Sequence, residues 1–284
     1  MSYGLALYGV DRAVGRAVRT AAAALMTVAL VTPAVRASWT VVNLHPSGWY
    51  QSYAYGVAGG QQVGTVYDYY SYIPRAALWS GSASSFVDLH PSGWYESYAY
   101  GVAGGQQVGY VYGSIRSHAA LWSGSASSFV DLHPSEWYQS SFAFGVAGGQ
   151  QVGYVYGSIR SHAALWSGSA SSFVDLHPTG WYRSRAWGVA SGLQVGTVYD
   201  YSDNPRAALW SGSASSFVNL HAFLGPEFTS SEARSITQEH GFTYVVGFGF
   251  NSYMYRWEAL MWVIPEPVSL LGLGLALALF PRRR

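Results

Sequence analysis

The chain has 284 residues and a formal net charge of +1; 10% of its residues are charged, against roughly 25% in an ordinary globular domain, and 17% are aromatic. With no basic cluster inside its body it lacks the concentrated Lys and Arg that phosphate binding needs, which argues against nucleic acid as a partner. The absence of cysteine excludes disulfides, thiolate zinc sites and thiol catalysis together.

In chain order, Arg12, Arg16 and Arg19 precede AAAALMTVALV, an apolar run too short for a stable bilayer span, and TPAVRASW follows. That order predicts a secretory signal helix over residues 1–37. Val35 and Ala37 stand three and one before the cut, and Ser38 is the first mature residue. The other reading, a buried N-terminal helix, leaves arginines and alanines without a strand partner in a β-rich body.

Residues 38–262 are repetitive. The LH pairs place His45, His90, His133, His177 and His221 in register about 44 residues apart, and the LW pairs place Trp79, Trp122, Trp166 and Trp210 on the same step. A fifth, eroded copy has EARSITQEHGFTYVVGF for SYAYGVAGGQQVGYV and EALMW for AALW. Periods of this size mark solenoids, propellers or arrays. In the second copy SFVDLH, SYAYGVA, QQVGYVY and HAALW read as strands divided by turn chemistry, which is the content of one propeller blade. The predicted fold is therefore all-β, a five-bladed β-propeller. Strand alternation places Tyr98, Tyr100 and Val102 on one face and Ala99, Gly101 and Ala103 on the other, so the bulky face of one copy is expected to bury against the flat face of the next. Pairing of Trp39–Leu44 with Glu258–Val263 is expected to complete the last blade and close the ring, leaving no exposed edge.

The chain ends in VIPEPVSLLGLGLALALFPRRR. Pro265, Glu266 and Pro267, one hydrophobic segment, and Arg282, Arg283 and Arg284 resemble a PEP-CTERM sorting signal over residues 263–284. The resemblance implies handling by the secretion machinery and then by an exosortase in the cytoplasmic membrane, with the body left at the cell surface or outside. The terminal arginines suit the cytoplasmic side. Val268–Phe280 spans roughly 20 Å as a helix against a hydrocarbon core of roughly 30 Å, so this predicted transmembrane sorting helix fits a temporary anchor better than a permanent one. A permanently tethered membrane protein is the alternative.

The repeat itself resembles the HAF extracellular repeat. Asp88 and Leu89, Ala99 and Val102, Gln107, Val108 and Gly109, and His118, Ala119, Leu121 and Trp122 carry the match, with departures at Ala120 and His90. It implies an extracellular repeat without established chemistry.

The five LH histidines invite a metal reading, but equivalent atoms of a ring lie too far apart for ligand distances of about 2.1 Å, so a Leu-His-Pro turn is the expectation and no metal or cofactor is expected. Asp88, Asp131 and Asp175, replaced by Asn43 and Asn219 in the outer copies, read as hydrogen-bonding turn residues. No catalytic residue is assigned. The remaining acids form no pair at the spacing a glycosidase needs and no nucleophile elbow is present, so the chain reads as non-enzymatic, a propeller glycoside hydrolase being the weaker option. The pairs Trp49 and Tyr50, Trp94 and Tyr95, Trp137 and Tyr138, and Trp181 and Tyr182 recur once per copy on one rim. They stack on exopolysaccharide or surface proteins in an adhesin, or wedge between blades in a scaffold.

Overall fold

The computed structural model describes residues 40–135 and 138–265. The signal residues Ala37 and Ser38, and Glu266, Pro267, Arg282, Arg283 and Arg284 of the sorting signal, lie outside them. Among the described residues no helix is long and apolar enough to cross a membrane, and the helical pieces are 3-10 turns of three or four residues.

Nineteen strands form five antiparallel sheets, one per sequence copy. Sheet 1 holds β1 (Gln51–Ala58), β2 (Gln61–Tyr67), β3 (Pro74–Trp79) and β4 (Val87–Asp88); sheet 2 holds β5 (Glu96–Ala103), β6 (Gln106–Tyr112), β7 (Ser117–Trp122) and β8 (Val130–Asp131). Sheet 3 holds β9 (Ser140–Ala147), β10 (Gln150–Tyr156), β11 (Ser161–Trp166) and β12 (Val174–Asp175), and sheet 4 holds β13 (Arg183–Ala190), β14 (Leu193–Tyr199), β15 (Pro205–Trp210) and β16 (Val218–Asn219). Sheet 5 has three strands, β17 (Phe228–Glu239), β18 (Phe242–Asn251) and β19 (Arg256–Pro265). As the repeat predicts, each V-D or V-N strand pairs with the strand immediately before it, the third of its sheet. The strand content runs to Pro265, three residues past the expected body boundary at 262.

The hairpin between the first two strands turns on two residues at positive φ, Gly104 at 57° and Gly105 at 77° in sheet 2. A buried glutamine locks that turn to the next loop: Gln107 Nε2 donates to the Gly105 carbonyl at 2.9 Å, and its Oε1 accepts from Gly124 N–H at 2.8 Å.

Sheet packing repeats with the sequence. Val63, Ala76 and Leu78 of sheet 1 meet Ala99, Val102, Val111, Ala120 and Trp122 of sheet 2, and equivalent clusters join sheets 2 to 3, 3 to 4 and 4 to 5. The simple alternation expected for SYAYGVA is corrected here. A β-bulge between Ala99 and Gly101 adds a residue to β5, so buried Val102 shares the core with Ala99, while Tyr98 and Tyr100 stay half-buried outside it. The intersheet core is thus valine, alanine and leucine around one tryptophan, not a tyrosine face. The bulge presses backbone into β6, where a Cβ on Gly109 would stand 1.8 Å from the Tyr98 carbonyl oxygen.

The five inner strands converge. A Cβ on Gly56, Gly101 or Gly145 would lie 2.5, 2.5 or 2.7 Å from the carbonyl oxygen of the next inner strand, and at Gly188 the distance is 3.2 Å. The fifth copy has Ser235 at this position. The expected ring closure by Trp39–Leu44 is corrected: among the described residues β19 hydrogen-bonds to β18 alone, and Val42–Leu44 form no strand, while Trp39 lies outside the described residues. Val57 is 74% exposed where Val102 is 8%, and Met261 is 62% exposed where Leu121 is 4%, so sheets 1 and 5 each keep an uncovered face.

Candidate functional site

The LH histidines lie at the joints between sheets. In sheet 3, Ser141 Oγ accepts the Ala119 N–H of sheet 2 at 2.8 Å and lies 2.9 Å from His133 Nδ1. His133 Nε2 sits 3.2 Å from the Tyr138 carbonyl, an acceptor only, so Nε2 carries the proton and Nδ1 accepts from the serine hydroxyl. The same joint recurs at Ser97 with Ala76 and His90, Ser184 with Ala163 and His177, and Ser231 with Ala207 and His221. Asp131 Oδ1 accepts the His133 N–H at 2.8 Å, and Asn43 does the same for His45 at 2.9 Å, which is the turn role expected of these residues. His118 and His162 stack on His133 and His177 at 4.1 Å and lie 2.7 and 2.8 Å from Asp131 and Asp175. Among the described residues no group of three or more His, Asp or Glu is placed to hold a metal.

Burial of the imidazole, the largest cause, depresses His90, His133, His177 and His221 below the usual 6.5; beside His221, Arg206 helps bring the value to about 4. A lowered folded value means that the unfolded chain binds more protons below pH 6.5. The stabilisation from these neutral rings is therefore complete above that pH and lost as pH falls toward the folded values. The melting temperature is expected to hold steady from pH 8 to 7 and to drop progressively from pH 6.5 to about 4. A His221→Gln variant should show a shallower slope in a calorimetric pH series, and an unchanged slope would contradict the assignment.

The sequence-predicted aromatic pairs divide between two environments. Trp49 packs edge-on against Phe86 at 5.5 Å, Trp94 against Phe129 at 5.8 Å and Trp181 against Phe217 at 5.5 Å. Trp137 lies outside the described residues, and in its copy Tyr138 meets Phe173 at 5.4 Å. Of the tyrosines following these tryptophans, Tyr50 and Tyr95 are exposed, whereas Tyr138 and Tyr182 are half-buried. Tyr50 meets Tyr69 and Tyr72 at 5.6 and 5.0 Å, Tyr95 is exposed, and Tyr182 lies 5.9 Å from Tyr201 beneath the Arg160 guanidinium, 4.5 Å from its ring. Tyr69, Tyr72, Tyr201 and Arg160 belong to the loops between second and third strands. Backbone bonds from Tyr50 N–H to Tyr67 O and from Tyr182 N–H to Tyr199 O hold the two loops of each sheet side by side. Sequence reasoning missed these partners because their loops differ between copies; their tyrosine content was the available signal.

No protein-family profile matches the chain, and no curated protein matches it. Among solved structures it is similar to puromycin hydrolase, at 11% identity and a TM-score of 0.47 over 81% of this chain and 40% of that one. The acylaminoacyl peptidase of Pyrococcus horikoshii gives 12%, 0.44, 70% and 32%, and TolB from Acinetobacter baumannii, a propeller-like protein, gives 9%, 0.46, 75% and 54%. The chain spans about half or less of the length of these proteins. The fold is β-propeller-like with repeat character. The expectation of a non-enzymatic chain is corrected by the same comparisons, because two of the three structures are a hydrolase and a peptidase. At these TM-scores the likeness assigns this chain neither activity nor substrate.

Proposed function

We propose that the chain is an exported five-bladed propeller-type repeat protein, open between its fifth and first blades, that binds polysaccharide at the cell surface or in the surrounding matrix through its tyrosine rim. The observation that carries this reading is the clustering of exposed Tyr50, Tyr69 and Tyr72, and of exposed Tyr201 with half-buried Tyr182 and Arg160, on the loops of one rim. Aromatic faces on neighbouring loops tied by backbone hydrogen bonds match the apolar faces of sugar rings at reduced ordering cost. Low charge favours a neutral ligand here. Export rests on the N-terminal signal pattern and on Pro265, Glu266, Pro267 and the terminal arginines, which support transient inner-membrane anchoring and exosortase processing.

One preparation tests both halves. Protein recovered from the culture medium or cell surface of an exosortase-bearing host is applied to a glycan array and its termini are read by mass spectrometry. Binding to neutral glycans is expected to fall about thirtyfold in a Tyr72→Ala, Tyr201→Ala double variant with unchanged melting temperature, since rim stacking contributes about 1 kcal/mol per ring. Undiminished binding would contradict the rim. A mature chain still ending in Arg284 would contradict sorting.

A further inference from the structure

The rim does not use the cavity of about 220 Å³ where the five inner strands converge. Four copies line it with the glycine and valine that follow an aromatic residue, Gly56 and Val57 after Tyr55, Gly101 and Val102 after Tyr100, Gly145 and Val146 after Phe144, and Gly188 and Val189 after Trp187, and of the four aromatics Trp187 itself reaches the lining. Their rings stack in succession, Tyr55 on Tyr100 at 5.2 Å, Tyr100 near Phe144 at 5.3 Å and Phe144 against Trp187 at 5.3 Å. The fifth copy departs at both positions at once, with Arg234 and Ser235, and both residues line the cavity beside Trp187. A neutral wall thereby gains a cation and a hydroxyl next to the half-buried Trp187.

The arginine is held in place. Its Nη2 lies 2.7 Å from Glu232 Oε2, and its guanidinium stands 4.8 Å from the Trp187 ring and 5.3 Å from that of Phe248. Glu232 is mostly buried and also lies 3.5 Å from Thr197 Oγ1, so it serves as an anchor on one side of the fork. Nε and Nη1 find no hydrogen-bond partner among the described protein residues. A planar guanidinium with free donors matches a carboxylate better than a point charge does.

We propose that this cavity binds a carboxylated sugar unit, a uronate, with the Arg234 donors on the carboxylate, the Ser235 hydroxyl on a ring hydroxyl, and Trp187 against the pyranose face. The volume suits one sugar unit, being below the roughly 300–1,000 Å³ of sites for larger ligands. The site is separate from the tyrosine rim, so either can fail without the other.

The test is calorimetric titration of the full chain with glucuronate, glucose and acetate. Glucuronate is expected to bind, with glucose and acetate each at least tenfold weaker. Arg234→Gln is expected to weaken glucuronate at least tenfold, Ser235→Gly about threefold, and Ser127→Ala, on an exposed turn outside both sites, not at all. Ser235→Gly removes atoms only, so it serves even where an Arg234 variant loses its fold. Equal binding of glucose would overturn the carboxylate assignment and equal binding of acetate the sugar assignment. Full retention of glucuronate affinity in folded Arg234→Gln, or in Ser235→Gly, would overturn the site.

Discussion

Replacing Gly109 by alanine is expected to destabilise the protein by about 4 kcal/mol, a fall in melting temperature on the order of 10 °C. The added methyl has no room. It would stand 1.8 Å from the Tyr98 carbonyl oxygen and 2.8 Å from its carbon, and neither is a flexible side-chain end that swings aside. Relief requires flattening the β5 bulge, which would rotate Val102 out of the core it shares with Ala99 and Trp122. Gly64, Gly153, Gly196 and Gly247 carry the same constraint, at 1.7, 1.8, 2.0 and 1.9 Å from a carbonyl oxygen on the neighbouring strand. Gly113 is the control: its Cβ would meet the Trp94 ring at 3.4 Å and the Arg116 carbonyl oxygen at 3.7 Å, both ordinary contacts, and its φ is not positive. Gly113→Ala should change stability by less than about 0.5 kcal/mol. A small effect at Gly109, measured by thermal or denaturant unfolding, would show that the bulge is not a fixed feature of the repeat.

Ser141→Ala is expected to cost about 2 kcal/mol, and Ser52→Ala, its equivalent in the first sheet, less than about 0.5. The two serines occupy the same strand position and both lie 2.9 Å from a histidine Nδ1. The difference is what reaches them from the sheet before. Ser141 is fully buried and accepts the Ala119 amide of sheet 2, so its loss strands a buried N–H. Ser52 receives no such bond among the described residues, and its contact with His45 is exposed. Equal costs at the two positions would mean that the serine serves its own sheet and not the joint.

The repeat period, the four strands per copy and the pairing of each V-D strand with the third strand of its sheet were legible in the letters, because turn residues and strand-forming residues alternate on a fixed step. The bulge was not. One unpaired residue leaves no mark in a two-residue alternation, although a glycine recurring opposite it at Gly64, Gly109, Gly153, Gly196 and Gly247 was its trace. The joint serine looked like strand filler for the same reason: a hydroxyl at a β position is compatible with either face until a neighbouring sheet supplies a donor. Closure was not legible either, since NLH looks like its counterparts in the other copies, yet residues 42–44 form no strand beside β19. Of the candidate site, the recurring Trp-Tyr pairs were readable, but the split between half-buried Trp94 and exposed Tyr95 depends on where Phe129 packs. Arg234 lay unnoticed inside an eroded copy, since erosion and a new charge look alike in sequence.

Amide hydrogen exchange read residue by residue is the most direct test of sheets joined in series and open at the end. The amides of Ala76, Ala119, Ala163 and Ala207, which donate to the joint serines, should exchange slowly, near the rate set by global unfolding. The equivalent amide of Ala259 in β19, which finds no partner among the described residues, should exchange orders of magnitude faster. Strong protection at Ala259, matching the other four, would mean that the fifth sheet is covered and the ring closed; rapid exchange at the four would mean that the serine joints do not hold the sheets together.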